Sequence, residues 1–235
     1  MSKGEETRER IIAEAAALFN QRGLEGTSMA DLMEATGLEK GGIYRHFPSK
    51  EAVAVEAFDY AWEAAFDARM RDLDVIPNSV DRLKRCVVNF VERRSSVPGG
   101  CPLLNTAIES DDGNPVLRER ARRALGKWRD LLSSIIDKGI ERKEIRRGVD
   151  ARKLATLVIS SLEGALMISR LERDRQALIA TQSYLERYLE TEVRLGKQSR
   201  VRGAAQNGAC DRDSSGSVKF GQRGEKTDDL GEIYG

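Results

Sequence analysis

One short segment, residues 40–46, combines a glycine pair with a run of hydrogen-bonding side chains. Gly41 and Gly42 lie in a stretch otherwise patterned as a helix, where each costs about 1 kcal/mol relative to alanine. That cost is explained if the glycines let the helix backbone approach a DNA major groove closely. A frayed helix or a turn is the plainer alternative. Lys40 and Arg45 can reach bases or phosphates, and three further groups can bind phosphate oxygens: Tyr44, His46 and Lys50.

Histidine and cysteine, which form most metal sites and many catalytic centres, are scarce in this chain. His46 is the only histidine, which excludes a multi-histidine metal site and leaves any histidine-based triad dependent on this one residue. The three cysteines, at 86, 101 and 210, have neither pairing nor metal-ligand spacing, which indicates a reducing, cytoplasmic location. We therefore expect no metal, no cofactor and no catalytic residue, and we do not expect an enzyme.

Cys101 is the one cysteine that invites a chemical hypothesis. It directly precedes Pro102 at the start of a predicted helix, where the helix dipole can lower the pKa of a thiol and make it reactive. Cys101 would then sense oxidants or electrophiles. The alternative is a buried small residue that fills space. Cys86 is expected in the core, and Cys210 in a tail without a role.

The elements that precede the glycine pair are two predicted helices. Apolar residues recur at helical spacing over 8–23, and Gly23 can end that helix in a left-handed conformation. Thr27 or Ser28 can cap the second helix. Asp31 follows Ser28 by three residues, as in a capping box.

A tight turn at Thr36-Gly37-Leu38 then leads to a short third helix, from about Glu39 to His46. Two short helices joined by such a turn are typical of a helix-turn-helix. Pro48 breaks the chain, and Ser49 can cap a long helix that runs to about Asp72.

The remainder is helical by pattern as well, so the predicted fold class is all-α. Further helices are predicted from Ser79 onward and over 102–109, 115–143, 151–170 and 174–194. We expect three parts: an N-terminal helix-turn-helix domain, residues 1–48; a C-terminal helical domain, residues 49–195; and a disordered tail, residues 196–235. The tail holds many glycines and almost no apolar periodicity.

Composition bounds the function only weakly. Net charge is +1 over 235 residues, and residues 1–50 hold seven basic against eight acidic side chains. A DNA-binding surface must therefore come from the placement of charges. No apolar stretch reaches the roughly 18 residues of a membrane span, and no apolar segment follows the charged N-terminus as in a secretory signal. We expect no membrane partner.

The first fifty residues resemble a known family. Thr27-Ser28-Met29-Ala30-Asp31-Leu32, Thr36-Gly37-Leu38 and the run from Gly41 to Glu51 are similar to the DNA-binding domain of TetR/AcrR transcription regulators. The resemblance covers about residues 7–55. It implies a three-helix reader, a fourth helix that links it to a ligand-binding and dimerisation domain, and a homodimer on double-stranded operator DNA. Carried over by position, the phosphate contacts are Thr27, Ser28, Tyr44, His46 and Lys50, and the residues nearest the bases are Lys40, Gly41, Gly42 and Arg45.

The function expected from these observations is a repressor released from DNA by an unknown small-molecule inducer. The inducer is expected in a cavity among the middle helices, although each lining residue is more often ordinary core: Trp62, Phe66, Phe90, Cys101, Leu104 and Trp128. The alternatives are a thiol redox or electrophile-responsive regulator switched at Cys101, a helical enzyme and an architectural DNA binder. The last two are disfavoured because no residues have catalytic spacing and the second domain lacks a basic face.

A dimer is expected through helices 151–170 and 174–194. Two such helices from each subunit form a four-helix bundle under two-fold symmetry. Ser161, Gly164 and Ala165 are small enough for close helix crossing.

Overall fold

The computed structural model describes residues 2–93 and 96–196, and this part of the chain is almost entirely helical. A π-helical turn, Leu189–Val193, continues the last helix, and no strand occurs among the described residues. The all-α prediction is confirmed. The helices are α1 Lys3–Arg22, α2 Met29–Thr36, α3 Lys40–Tyr44, α4 Lys50–Met70, α5 Ser79–Glu92, α6 Pro102–Glu109, α7 Pro115–Glu141, α8 Ala151–Glu172 and α9 Gln176–Tyr188.

Side-chain caps set where several helices begin. Ser28, and not Thr27, caps α2, and Asp31 completes the capping box. Ser49 caps α4 and Asp150 caps α8, as predicted, by accepting hydrogen bonds from backbone amides two or three residues into each helix. Each such bond satisfies an amide that the helix itself leaves unpaired.

The recognition-helix candidate is shorter than predicted. α3 ends at Tyr44 rather than at His46, because the amide of His46 donates to the carbonyl of Ile43, three residues back, and tightens the last turn. The end of α1 also differs. Gly23 has a positive φ of 77°, but its ψ of 172° lies outside the predicted left-handed helical conformation.

Two apolar clusters organise residues 2–196, which pack as one compact unit. The first joins α1, α2, α3 and the start of α4 around Ile11, Leu32 and Ile43, and we call it the reader core. The second fills the space among α4 to α9. Neighbouring residues of α4 face different clusters: Ala57 belongs to the reader core and Phe58 to the second. The predicted tail begins at Gly196, and positions 197–235 lie outside the described residues.

α8 is the helix of the described chain that is apolar and long enough to cross a membrane by length and composition alone. Its most apolar 18-residue window is 44% buried within the fold. A helix that packs one face in the core and leaves a second apolar face exposed reaches this hydropathy without a membrane.

Candidate nucleic-acid interface and internal cavity

α3 presents its glycine pair on one side and its apolar anchor on the other. Ile43 is fully buried in the reader core, whereas Gly41 is exposed, and a Cβ atom added there would meet no atom within 4 Å. Gly42 is half-buried, and an added Cβ would make only ordinary contact with Leu38. Neither glycine is required by packing inside this chain, so the open surface at Gly41 is available to an external partner.

The polar groups of the predicted reader surround this open surface. Tyr44 is 43% exposed, and the Lys40 ammonium lies 5.8 Å from the centre of its ring. Arg45 is exposed and His46 is half-buried. The adjacent Phe47 is buried under the guanidinium of Arg8, which lies 4.8 Å from the ring centre. The structure thus brings Lys40, Tyr44 and Arg45 together at the surface, beside a rigid apolar anchor.

Thr27 is a correction to the predicted phosphate contacts. Its side chain is fully buried, and its hydroxyl donates to the carbonyl of Gly23 over 2.7 Å. Its hydroxyl is therefore not presented to a phosphate in this structure. Ser28, next in the chain, is exposed and serves as the α2 cap.

Lys50 has an internal task that the sequence did not reveal. Its ammonium donates to the carbonyls of Leu24 and Thr27, over 2.8 and 3.0 Å, and so caps the turn between α1 and α2. An ammonium has three N–H donors, so one remains for a phosphate. Lys50 therefore holds the turn between α1 and α2 in place, and its remaining N–H can also contact DNA.

A buried arginine lies at the centre of the second cluster. The Arg69 guanidinium is 4.6 Å from the ring centres of Phe90 and Trp128 and 5.7 Å from that of Trp62. Phe66 extends the ring cluster against Trp62. Cation–π attraction is strong at such a desolvated site. The predicted ligand residues are therefore packed around a cation that the protein itself supplies.

Arg69 joins α4 to Cys101 and to a buried acid of α8. Its Nη1 lies 3.6 Å from Glu163, and its Nη2 donates to the Cys101 sulfur over 3.0 Å. The Cys101 thiol in turn donates to Glu163 over 2.9 Å. Burial raises the pKa of the Glu163 carboxyl, and the nearby Arg69 opposes that rise. Buried charges need such partners, because desolvation of an isolated ion is costly.

The prediction of a lowered Cys101 pKa is wrong. The thiol lies at the start of α6, but it is 2% exposed, and burial raises its pKa to about 11. Desolvation therefore outweighs both the helix dipole and the guanidinium of Arg69. A buried thiol held in the protonated form is a poor nucleophile, which removes the physical basis of the Cys101 switch. Cys86 is buried in the core, as expected.

A cavity of about 580 Å³ lies beside the arginine cluster. Phe90 and Cys101 line it, as predicted, together with Arg69. The other four predicted ligand residues do not line it, because they pack against one another and the core: Trp62, Phe66, Leu104 and Trp128. Its size falls in the range of small-molecule sites.

Arg69 and Glu163 are the functional candidates that sequence reasoning missed. Both occupy positions on the apolar face of their helices: Arg69 follows Ala65 and Phe66 at helical spacing, and Glu163 lies between Leu162 and Ala165. A charged residue on the apolar face of a helix is rarely buried without a partner, so each of these two positions indicates a buried partner elsewhere in the chain. The partner itself is 94 positions away.

One loop touches both the cavity and the reader. Val97, Gly99 and Cys101 all line the cavity, and Val97 also belongs to the reader core. Gly99 lies so close to Asn20 of α1 that an added Cβ would be 2.5 Å from the Asn20 carbonyl oxygen. We call residues 97–101 the coupling loop.

Two amides tie the coupling loop to α1. Asn20 donates to the carbonyl of Pro98 over 2.7 Å, and Asn105 of α6 donates to the carbonyls of Asn20 and Gly99, each over 2.9 Å. Just after α1, the carboxylate of Glu109 on α6 also accepts a hydrogen bond from the backbone amide of Glu25. The end of α1 is thus held by the elements that border the cavity.

No group of three or more His, Cys, Asp or Glu side chains is placed to hold a metal ion within the described ranges.

Comparison with known proteins gives the same assignment for both halves of the chain. Residues 11–57 match the family model described as bacterial regulatory proteins, tetR family, and residues 79–185 match that of the tetracyclin repressor-like C-terminal domain. A TetR transcriptional regulator from Chloroflexus aurantiacus J-10-fl is 47% identical with a TM-score of 0.80, over 83% of this chain and 100% of that one.

Two further relatives agree. A TetR-family regulator from Cytophaga hutchinsonii is 38% identical with a TM-score of 0.78, over 84% of this chain and 99% of that one. The transcriptional repressor DhaR of Mycobacterium sp. strain GP1 is 28% identical over 174 residues, which are 73% of this chain and 86% of that protein.

The first prediction tests the open surface at Gly41. Gly41→Leu should fold at least as stably as the wild type, because leucine is the better helix former and the site is empty of protein atoms. Its affinity for a duplex selected from a random-sequence pool should fall at least about 100-fold, as measured by fluorescence anisotropy, since the side chain blocks backbone approach. Gly126→Leu on α7, where an added Cβ also meets nothing, is the matched control. Wild-type affinity in Gly41→Leu would contradict the interface.

The second prediction separates the two tasks of Lys50. Lys50→Met should lower the free energy of unfolding by about 1–3 kcal/mol, because two carbonyls lose their donor. It should also reduce the slope of log affinity against log salt by about one. Lys40→Met, at a lysine whose only described contact is with the Tyr44 ring, should leave the free energy of unfolding unchanged and is the control for the structural role. Unchanged stability in Lys50→Met would contradict the bracing role, and an unchanged slope the phosphate contact.

Proposed function

This chain belongs to the TetR family of DNA-binding transcriptional regulators, and we propose that it is a homodimeric repressor released from its operator by a small molecule. The observation that carries the proposal is the coupling loop, because all five of its residues line a ligand-sized cavity and the carbonyl of Pro98 also accepts from Asn20 at the end of α1. The proposed domain boundary at 48/49 falls just before α4. The protein is proposed to act in the cytoplasm.

The proposed DNA contacts follow the surface described for α3. Gly41 and Gly42 lie nearest the base edges, with Lys40 and Arg45 beside them. The proposed phosphate contacts are Ser28, Tyr44, His46 and the free N–H of Lys50. Thr27 is left out because its side chain is fully buried and its hydroxyl is bound to Gly23, whereas Ser28 is exposed. This division gives base-edge contacts the task of reading sequence and phosphate contacts that of setting register.

The proposed release acts through geometry rather than through contact with DNA. Readers of a dimer must lie about 34 Å apart, or a whole number of helical turns, to enter successive major grooves. α4 contains 21 residues and spans about 31 Å at 1.5 Å per residue, so a small tilt at the cavity end moves the reader by ångströms. A tenfold loss of DNA affinity needs only about 1.4 kcal/mol of coupling.

An exposed apolar stripe on α8 supports the proposed dimer. Leu157, Gly164, Ile168 and Leu171 recur at spacings that share one helix face, and Leu171 is 77% exposed. A Cβ added at Gly164 meets no atom within 4 Å, so a second helix can approach closely there. α9 adds exposed Ile179 and Tyr184. Two such helices per subunit would bury both stripes in a four-helix bundle.

The third prediction tests the coupling loop without an inducer. Coupling is reciprocal, so operator binding should change the fluorescence of Trp62 and Trp128, which are the chain's only tryptophans and lie in the cluster beside the cavity. Asn105→Ala should keep most of the operator affinity and reduce this fluorescence change, because the amide that bridges Asn20 and Gly99 is lost and only the bonds from Asn20 itself remain. Gln182→Ala on α9 is the control, an amide that pairs only within its own helix. A full fluorescence response in Asn105→Ala would contradict this route.

The fourth prediction tests the dimer. Gly164→Trp should give monomers with an intact helical content, as measured by sedimentation equilibrium and circular dichroism, because the indole separates the two α8 helices. Operator affinity should fall by at least about 100-fold, since each monomer reads one half-site only. A Gly126→Trp control, on a surface of α7 that is also open, should remain dimeric. A dimer in Gly164→Trp would place the interface elsewhere.

A further inference from the structure

We propose that the 580 Å³ cavity binds an organic anion with an apolar body, such as a medium-chain carboxylate. The inference deepens the proposed function and rests on it, because this anion would be the molecule that releases the repressor. The inference rests on three features of the cavity. Its walls carry positive charge, Nη1 of Arg69 lacks a hydrogen-bond acceptor, and the rest of the lining is apolar.

The walls of the cavity carry a large excess of positive charge. Five arginines and a single aspartate line it: Arg69, Arg93, Arg170, Arg173, Arg175 and Asp174. Arg93 already pairs with Asp72, and Arg175 donates to the carbonyl of Val91. The side chains of Arg170 and Arg173 make no ion pair or hydrogen bond with any described residue. A concave surface with this charge concentrates anions.

The chain makes room for one of these cations. A Cβ at Gly100 would lie 2.7 Å from the Arg170 guanidinium, so the glycine allows Arg170 to lie against the coupling loop. An anion bound by Arg170 would therefore contact a group that already touches the loop. That arrangement connects the proposed ligand to the elements that hold α1.

Arg69, which lines the cavity, carries a buried donor without a hydrogen-bond partner. Arg69 is 6% exposed, and its Nη1 makes no hydrogen bond among the described residues, only the 3.6 Å ion pair with Glu163. A buried guanidinium N–H without an acceptor is costly, and a carboxylate or phosphate oxygen would satisfy it. Arginine suits both groups through paired N–H donors.

The rest of the lining suits an apolar body. Ala65, Phe90, Val91, Leu166 and Leu178 contribute side chains to the same cavity. A chain of about eight carbons fits within the cavity, and burial of its methylene groups against these side chains favours binding. Because the cavity is lined both by arginines and by apolar side chains, it favours an amphipathic ligand over a small inorganic anion.

An organic cation is the competing ligand class, and the structure disfavours it. Trp62, Phe90 and Trp128 form the kind of aromatic cage that binds ammonium groups, but Arg69 already occupies it. An incoming cation would have to displace Arg69 and then face the remaining arginines. An anion needs no such displacement.

Three ligands of equal length test the proposal: octanoate, octanamide and octyltrimethylammonium, each titrated into the full-length protein. Trp62 and Trp128 are the chain's two tryptophans, and both rings lie within 6 Å of the Arg69 guanidinium, so their fluorescence reports on the site. Octanoate should bind saturably, with octanamide at least about tenfold weaker and octyltrimethylammonium weaker still. Equal affinity for octanoate and octanamide, or tighter binding of the cation, would overturn the proposal.

A paired substitution locates the binding. Arg170→Gln with Arg173→Gln should weaken octanoate at least about fivefold and leave octanamide unchanged. Arg147→Gln with Arg152→Gln removes the same charge near the start of α8, away from the cavity lining, and should leave both affinities unchanged. An equal loss in both double variants would show a nonspecific charge effect and would contradict the site.

Operator affinity, measured on the same proteins without any amphiphile, separates this inference from the proposed function. Tight operator binding with no selective octanoate binding would overturn the anion site alone. Failure of operator binding in the wild type would overturn the proposed function, whatever the octanoate titration shows. Selective octanoate binding that also weakens operator binding supports both.

Discussion

The structure depends on a charged pair where a core would ordinarily be apolar. Arg69 and Glu163 join α4 to α8 in the interior, with three aromatic rings around the guanidinium and a thiol between the two side chains. Asn89 of α5 adds to this junction by donating to the carbonyls of Arg69 and Arg71. A buried pair of this kind contributes little net stability, but loss of one partner costs about 3–5 kcal/mol. It therefore fixes which helices meet more than how tightly they are held.

α4 carries this constraint to the reader. A cation near each end makes a contact outside the helix: Lys50 caps the turn between α1 and α2, and Arg69 meets α8. Between them, Val53, Ala57 and Ala61 pack in the reader core, and the residue that follows each of them packs in the second cluster. In the proposed release, a rearrangement at Arg69 would reach the reader through this helix. The coupling loop provides a second, parallel connection, through Asn20 and Asn105.

Interactions between residues close together in the sequence could be predicted, and those between distant residues could not. The caps at Ser28, Ser49 and Asp150 were predictable because a cap and its amide partner are two or three residues apart. The link between Arg69 and Glu163 spans 94 positions and leaves only a charge on an apolar stripe as its signal. Cys101 was misjudged for the same reason. Its helix N-terminus is local and visible in the sequence, whereas its burial, which decides the pKa, comes from distant elements. The structural contact of Lys50 could not be predicted, because its two carbonyl partners lie 23 and 26 residues earlier and leave no local signal in the sequence. The sequence therefore indicated only a contact with DNA.

The same buried pair makes the cavity suited to exchange partners. Burial already raises the pKa of the Glu163 carboxyl, and Arg69 is the group that holds it down. An anion that engaged Arg69 would weaken this opposition and so favour the neutral form of the Glu163 carboxyl. A neutral carboxyl costs far less to keep buried than an unpaired carboxylate. Binding of the proposed anion would thereby lower the cost of separating the pair. An apolar core at the same place would bind no anion, and a fully satisfied ion pair would have no donor to offer.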